Sequence, residues 1–299
     1  MKLVSLKFSI SVLSFVFFVS VLSSVLSSVQ ADEARAIMQK VIDRDDGHSQ
    51  YSLQSIATCK YEIRNKKLAC AEKPRKKLIE MVQLDSGEGN KDSLSVMIIK
   101  QPSAEKGVGF LQYDYDAQGK DTDQWMYLSA LGKIKRIISG NDDEPKEGTL
   151  FGSEFSYEDT EKAKLDNYTY RILKEVKYRG QDSWIIESVA TPQYARKSNY
   201  SKSVLWIDKA RYLIHKTKIY DRRGRAIKQM NFSQYQQVDG VWIAKKMNMN
   251  NLQTKRISTM KINKFAININ VDSSLLTQRT LTDSAFRERH LQKIRAVAP

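Results

Sequence analysis

Histidine is scarce in this 299-residue chain, and its scarcity removes a class of chemistry. His48, His215 and His290 lie far apart and form no H-x-x-H or H-E-x-x-H pair, so the spacing offers no catalytic zinc site. No G-x-S-x-G turn presents a serine nucleophile. Gly107-Val108-Gly109 is a bare G-x-G without a strand-to-helix context, too little to cradle a phosphate. The acid pair Glu158-Asp159 reads more simply as a solvated turn than as an acid–base couple. These absences point away from an enzyme, and no metal or cofactor is expected.

Cysteine is rarer still. Cys59 and Cys70 bracket CKYEIRNKKLAC, symmetric about a turn at Arg64-Asn65, and a lone pair so close in an exported chain is expected to form a disulfide across two antiparallel strands. No C-x-x-C and no βαβ pattern is present, so the pair reads as structural rather than redox-active. Long apolar runs are also missing, with one exception at the N-terminus. Lys2 and Lys7 precede a run from Phe8 to about Leu26, and Val29-Gln30-Ala31 supplies small residues at −3 and −1. This predicts a secretory signal peptide over 1–31, with a retained membrane anchor as the alternative, and a soluble exported chain over 32–299 forming one domain. No other stretch approaches the ~20 apolar residues that a spanning helix needs.

Positive charge is abundant. The formal net charge is +15, and removing Lys2 and Lys7 with the leader leaves +13. Such a surface suits anionic head groups or an acidic protein, or it is simply solvated. Aromatic residues interleaved with Lys133, Lys135 and Arg136 would suit nucleic acid, but export and the lack of a nucleic-acid motif argue against it.

Periodicity gives the fold class, mainly β with helices at the ends. Ile37, Met38, Val41 and Ile42 recur at helical spacing and predict a helix over 32–43. The period then becomes two. Strands are expected at 51–63, 67–72, 76–84, 93–100, 108–115, 124–128 and 133–138, and again at 168–178, 182–190, 202–207, 212–221, 226–236, 241–249 and 255–269. Turn chemistry separates them, as at Asp85-Ser86-Gly87, Arg179-Gly180 and Asp239-Gly240. The later connections are too short for crossover helices, so a long antiparallel meander is expected. An amphipathic helix over 283–298 should dock by Phe286, Leu291 and Ile294, or else lie on an anionic membrane surface.

Alternation places Met230 and Phe232 on one side of their strand, Met247 and Met249 on one side of theirs, and Met260 with Ile262 on a third. The apolar side is expected to switch near Lys264, because Phe265 and Ile267 follow in the opposite phase. These residues read either as core or as an adaptable lining for an apolar ligand. Trp125, Tyr127, Phe151 and Phe155 form a second group, core aromatics or the rim and lid of such a cavity.

The same region carries a resemblance. W-x-Y-L-x-A-L-x-K-I-K-R-I from Trp125, followed by F-G-S-E-F-S-Y-E-D from Phe151, is similar to the hallmark of the LolA-like outer-membrane lipoprotein-sorting proteins, a group often described beside RND/MMPL-type exporters. LWIDKARYLIHKTKIYDRRG, YQQVDGVWIAKKMNMNN and the segment ending LLTQRTL resemble later strands of the family, so the likeness covers roughly 32–282. The family usually has proline where Ser129 stands and aspartate where Glu154 stands. The resemblance implies an incomplete antiparallel β-barrel whose open face is covered by helices. It further implies a periplasmic carrier of lipoprotein acyl chains or other apolar cargo, with Met230, Phe232, Met247, Met249, Met260 and Ile262 lining the cavity. Partners would be the lipid or lipoprotein cargo, an inner-membrane exporter and an outer-membrane acceptor. The alternative is a periplasmic adaptor that binds an exporter and carries no lipid. The acidic link from Gly140 to Gly148 is where a cover would hinge.

Overall fold

The computed structural model describes residues 30–139 and 144–298. The expected leader falls outside these residues except for Gln30 and Ala31, and so does the first part of the expected hinge, 140–143. Helix α1 spans 30–42. Seven strands follow: β1 (Ser49–Arg64), β2 (Lys67–Cys70), β3 (Arg75–Ser86), β4 (Asp92–Gln101), β5 (Gly109–Asp114), β6 (Asp123–Leu128) and β7 (Lys133–Ile137). After a long connection come β8 (Tyr168–Tyr178), β9 (Gln181–Ala190), the short α2 (Pro192–Ala195), β10 (Tyr200–Asp208), β11 (Ile214–Asp221), β12 (Ala226–Val238), β13 (Val241–Asn251) and β14 (Arg256–Ile267). The chain closes with α3 (Gln278–Thr282) and α4 (Ser284–Val297), the latter capped by the Asp283 carboxylate on the Phe286 amide.

One antiparallel sheet holds all fourteen strands, ordered β7-β6-β5-β4-β3-β1-β14-β13-β12-β11-β10-β9-β8 with β2 beside β1. The fold is therefore two meanders joined where the first strand pairs with the last. The free edges are β7 and β8, neighbours in sequence. The long connection 138–167 thus starts at one edge of the sheet and ends at the other.

Pairing register separates two faces. Residues directly opposite one another point the same way, so Met126, Phe110, Met97, Met81, Ser52 and Phe265 share one face across β6 to β14. We call it the inner face. Met126 and Ile137 from β6 and β7 share a buried cluster with Ile219 from β11. β6 and β11 lie eight steps apart in strand order, about 38 Å in a flat sheet at ~4.8 Å per step. One cluster reaches both only because the sheet curls around this face, which makes an open barrel.

Helix α1 covers the inner face of the second meander, with Ala34, Ile37 and Met38 against Tyr170, Ile186, Leu205 and Ile207. Helices α3 and α4 lie on the outer face of the first meander. There Leu281, Leu291 and Ile294 pack with Tyr51, Val82, Val96 and Leu111. Among the described residues no helix lies on the outer face of the second meander. That face presents Lys174, Lys202, Lys216 and Lys218, with Glu187 as the acid among them.

Two local expectations are corrected. The apolar side of β14 does not switch near Lys264. Register slips between Leu53 and Gln54, Asn263 is left over as a bulge, and Phe265 and Ile267 stay on the inner face with Met260 and Ile262. The hairpin between β1 and β2 turns at Asn65-Lys66, both at positive φ, rather than at Arg64-Asn65. Cys70 therefore faces Tyr61, and the Cys59–Cys70 disulfide, Cα–Cα 5.7 Å, runs diagonally across the pair.

Candidate functional site

The connection between the two free edges folds back into the curl as a strap. Gly148 starts it at φ +109°, where a Cβ would stand 2.7 Å from the Tyr157 ring, so the position requires glycine. Thr149 bridges Ser156, and the Leu150 amide donates to the Phe155 carbonyl at 2.8 Å. Between them Phe151 and Gly152 both take left-handed φ, 50° and 68°, while the Ser153 amide donates to the Leu150 carbonyl. That is the geometry of a type I′ turn, which a phenylalanine enters only at a cost in backbone strain. Burial of its ring offsets that cost. Leu150, Phe151 and Phe155 are buried in one cluster with Ile79, Phe110, Met249 and Met260. Tyr157 stacks on Phe110 with centroids 5.8 Å apart, and Phe151 meets Phe110 edge-on at 6.4 Å.

Polar clasps hold the strap at both flanks. Glu154 accepts from Arg256 Nε at 2.7 Å and Asn251 at 3.0 Å, and its amide donates to Ser258 Oγ at 2.9 Å. Lys228 Nζ lies 2.6 Å from Asp159 and 2.8 Å from the Tyr200 hydroxyl, which donates to Asp159 at 2.8 Å. Burial, reinforced by the Asp159 charge, keeps that hydroxyl protonated well above its ordinary range. Ser156 Oγ lies 2.9 Å from the same hydroxyl, and Glu158 accepts from Ser198 and from the Asn199 amide. On the side of the first meander, Gln112 exchanges hydrogen bonds with Thr160, and Lys146 reaches Glu161 at 2.8 Å. Burial pushes the Glu161 carboxyl up to about 7. Lys146 opposes that rise, while Glu158 and Asp114 add to it. The clasps thus tie β5 to β10, β12, β13 and β14 across the open seam.

Register puts Met230, Phe232, Met247, Met249, Met260 and Ile262 on the inner face together. Met249 and Met260 are buried beneath the strap, Met230 and Met247 pack partly against it, and Phe232 and Ile262 stay half-exposed beyond it. The four proposed rim aromatics do not stay together. Phe151 and Phe155 enter the inner cluster, whereas Trp125 and Tyr127 lie on the outer face, beside Tyr113 and Ile134. Met126 pairs with Phe110 on the inner face, and alternation sends both of its neighbours outward. Sequence reasoning missed the clasp residues Lys228, Tyr200 and Arg256. Lys228 carried a usable signal, since it sits in the inward phase of β12 with Met230 and Phe232.

A family model described as "Uncharacterized protein" matches residues 91–283, more than half of the chain. No curated protein matches. The fold is similar to that of a DUF1329 family protein from Desulfovibrio piger, with 19% identity, TM-score 0.74, and coverage of 84% of this chain and 99% of that one. A putative outer membrane lipoprotein-sorting protein domain from Vibrio parahaemolyticus matches with 29% identity and TM-score 0.72 over the same shares, 84% and 99%. A LolA superfamily protein from Nitrosomonas europaea matches with 17% identity and TM-score 0.57, covering 83% of this chain and 98% of that one. The chain belongs to the family that this model describes, and its fold is LolA-like.

Proposed function

We propose that this protein is an exported, soluble carrier that shelters an acyl chain or similar apolar group on its inner face, with the strap as the cover that cargo displaces. The carrying observation is the strap itself. Leu150, Phe151, Phe155 and Tyr157 of the connection lie on a methionine-rich concave face, and polar clasps at Glu154 and Asp159 hold the segment there. Contacts of this kind reproduce what an acyl chain would make. The need for shelter is large: a chain of about 16 carbons exposes roughly 15 CH₂ groups at ~0.8 kcal/mol each, about 12 kcal/mol. Met230, Phe232, Met247, Met249, Met260 and Ile262 line the site in this reading, and catalysis has no part in it. The disulfide supports an oxidising compartment, and a leader over 1–31 would deliver the chain to the periplasm. Among the described residues no helix is long and apolar enough to cross a membrane. Lipoprotein as the cargo, an inner-membrane exporter as donor and an outer-membrane acceptor complete the proposal by analogy with the sorting-protein relative.

A second reading, an adaptor for an exporter without lipid, draws on one observation: the strap already fills the inner face with the chain's own side chains. Native mass spectrometry of gently purified protein, with a titration by an uncharged fluorescent acyl ester, separates the two. Co-purified lipid and saturable probe binding are expected. Neither appearing would overturn the carrier reading and leave the adaptor.

A further inference from the structure

A groove of about 720 Å³ runs between the polar side of α4 and the ends of β1, β3, β4 and β14. Its size lies within the ~300–1,000 Å³ of small-molecule sites. Leu53, Leu78, Tyr51 and Ala298 are the apolar part of its lining, with Leu53 directly between Glu80 and Lys264 in the sheet. The rest of the lining is ionic and unbalanced. Glu80 and Glu288 are both committed: Arg295 binds the two of them, and Lys100 lies 3.2 Å from Glu80 and 2.9 Å from Glu288. Lys106, Lys264 and Arg287 line the same groove and have no acid within ion-pair distance among the described residues.

Arg287 is the most informative of the three. It is 7% exposed, its Nη1 donates to the Thr280 and Leu281 carbonyls, and its Nε has no partner. A buried guanidinium without a counter-ion is an unmet electrostatic demand. Burial accordingly pushes it below its ordinary range, although Glu288 stands near. Lys264 reaches the groove because of the bulge at Asn263, which turns it to the outer face, where it pairs with Leu53. Further along that face Lys246 and Lys261 stand directly opposite each other, a like-charge pairing that adds positive field beside the groove.

We infer that this groove binds an anionic amphiphile, its carboxylate or phosphate head held by Lys106, Lys264 and Arg287 and its tail laid along Leu53 and Leu78. The site is separate from the strap and stands whether or not the inner face carries cargo. The test is a titration of the full chain with lysophosphatidylglycerol and lysophosphatidylcholine below their micellar concentrations, and with inorganic phosphate alone. Tight saturable binding of the anionic lipid is expected, at least tenfold weaker for the zwitterionic one. The variant K106E/K264E, altered at two exposed positions, should lose that preference while its unfolding midpoint stays unchanged. Phe155→Ala, in the strap, should leave it intact, which separates this site from the inner face. Equal binding of both lipids, or no effect of K106E/K264E, would overturn the inference. Phosphate binding as tightly as the anionic lipid would overturn the amphiphile and leave an anion site.

Discussion

Lys228 and Asp159 are 69 residues apart in sequence and 2.6 Å apart in space, with side chains 10% and 2% exposed. The pair joins the strap to β12 beneath the seam that the sheet leaves open. Removing one partner of so buried a pair strands the other charge, whereas removing both does not. Lys228→Met is therefore expected to destabilise by about 3–5 kcal/mol, and the double variant K228M/D159N to recover most of that loss. Urea unfolding monitored by tryptophan fluorescence measures both. Equal losses in the single and double variants would mean that the charge pair does not anchor the strap.

Phe155 couples stability to binding. Phe155→Ala leaves a hole in the inner cluster and is expected to cost about 3–5 kcal/mol. If the ring occupies the place of cargo, the same variant binds a fluorescent fatty acid more tightly than the parent. A stability loss with weaker binding would put the ring in the lining rather than in competition with the ligand.

Glu161 makes the strap pH-sensitive. Its folded pKa, about 7, lies above its ordinary 4.5. The native state therefore holds this proton more tightly than the unfolded chain does, and the resulting stability is full below 4.5 and lost as pH rises through 7. Glu161→Gln should flatten the fall of the thermal midpoint between pH 5 and 8. Hydrogen exchange at 149–160 should become faster at pH 8 than at pH 6 in the parent, after correction for intrinsic rates, and less so in the variant.

Glu288 runs the other way on the outer face. Burial resists its ionisation, but Arg295 and Lys100 hold its carboxyl down at about 2, against an ordinary 4.5. That contribution is present above 4.5 and disappears as pH falls toward 2. Arg295 also grips Glu80, which is 2% exposed but keeps Lys100 at 3.2 Å, so Arg295→Ala should cost about 1–3 kcal/mol. Limited proteolysis that releases the C-terminal helix first, in the variant and in the parent near pH 3, would check both statements.

Strand positions were legible because alternation and turn residues are local. The fourteen expected strands match the observed ones to within a few residues, and so does the helix capped by Asp283. Alternation within single strands also put Met230, Phe232, Met247, Met249, Met260 and Ile262 in the right phase, since one pleat fixes each residue's side relative to its neighbours. The bulge at Asn263 was visible only as an apparent switch of phase, because a sequence carries no mark of which residue a ladder skips.

What the chain alone determined is a cysteine pair, two meanders with their turns, and the chemistry of each strand face. Tertiary structure decided the rest. Gln50 of β1 pairs with Ile267 of β14, more than 200 residues away, so β7 and β8 become the free edges and the segment between them must cross the opening. Nothing local encodes that pairing; it follows from which edges remain when every other strand has found its partner. The curl then selects which aromatics meet. Phe151 and Phe155 turn in against Met249 and Met260, while Trp125 and Tyr127, adjacent in the same motif, go to the other side of the sheet.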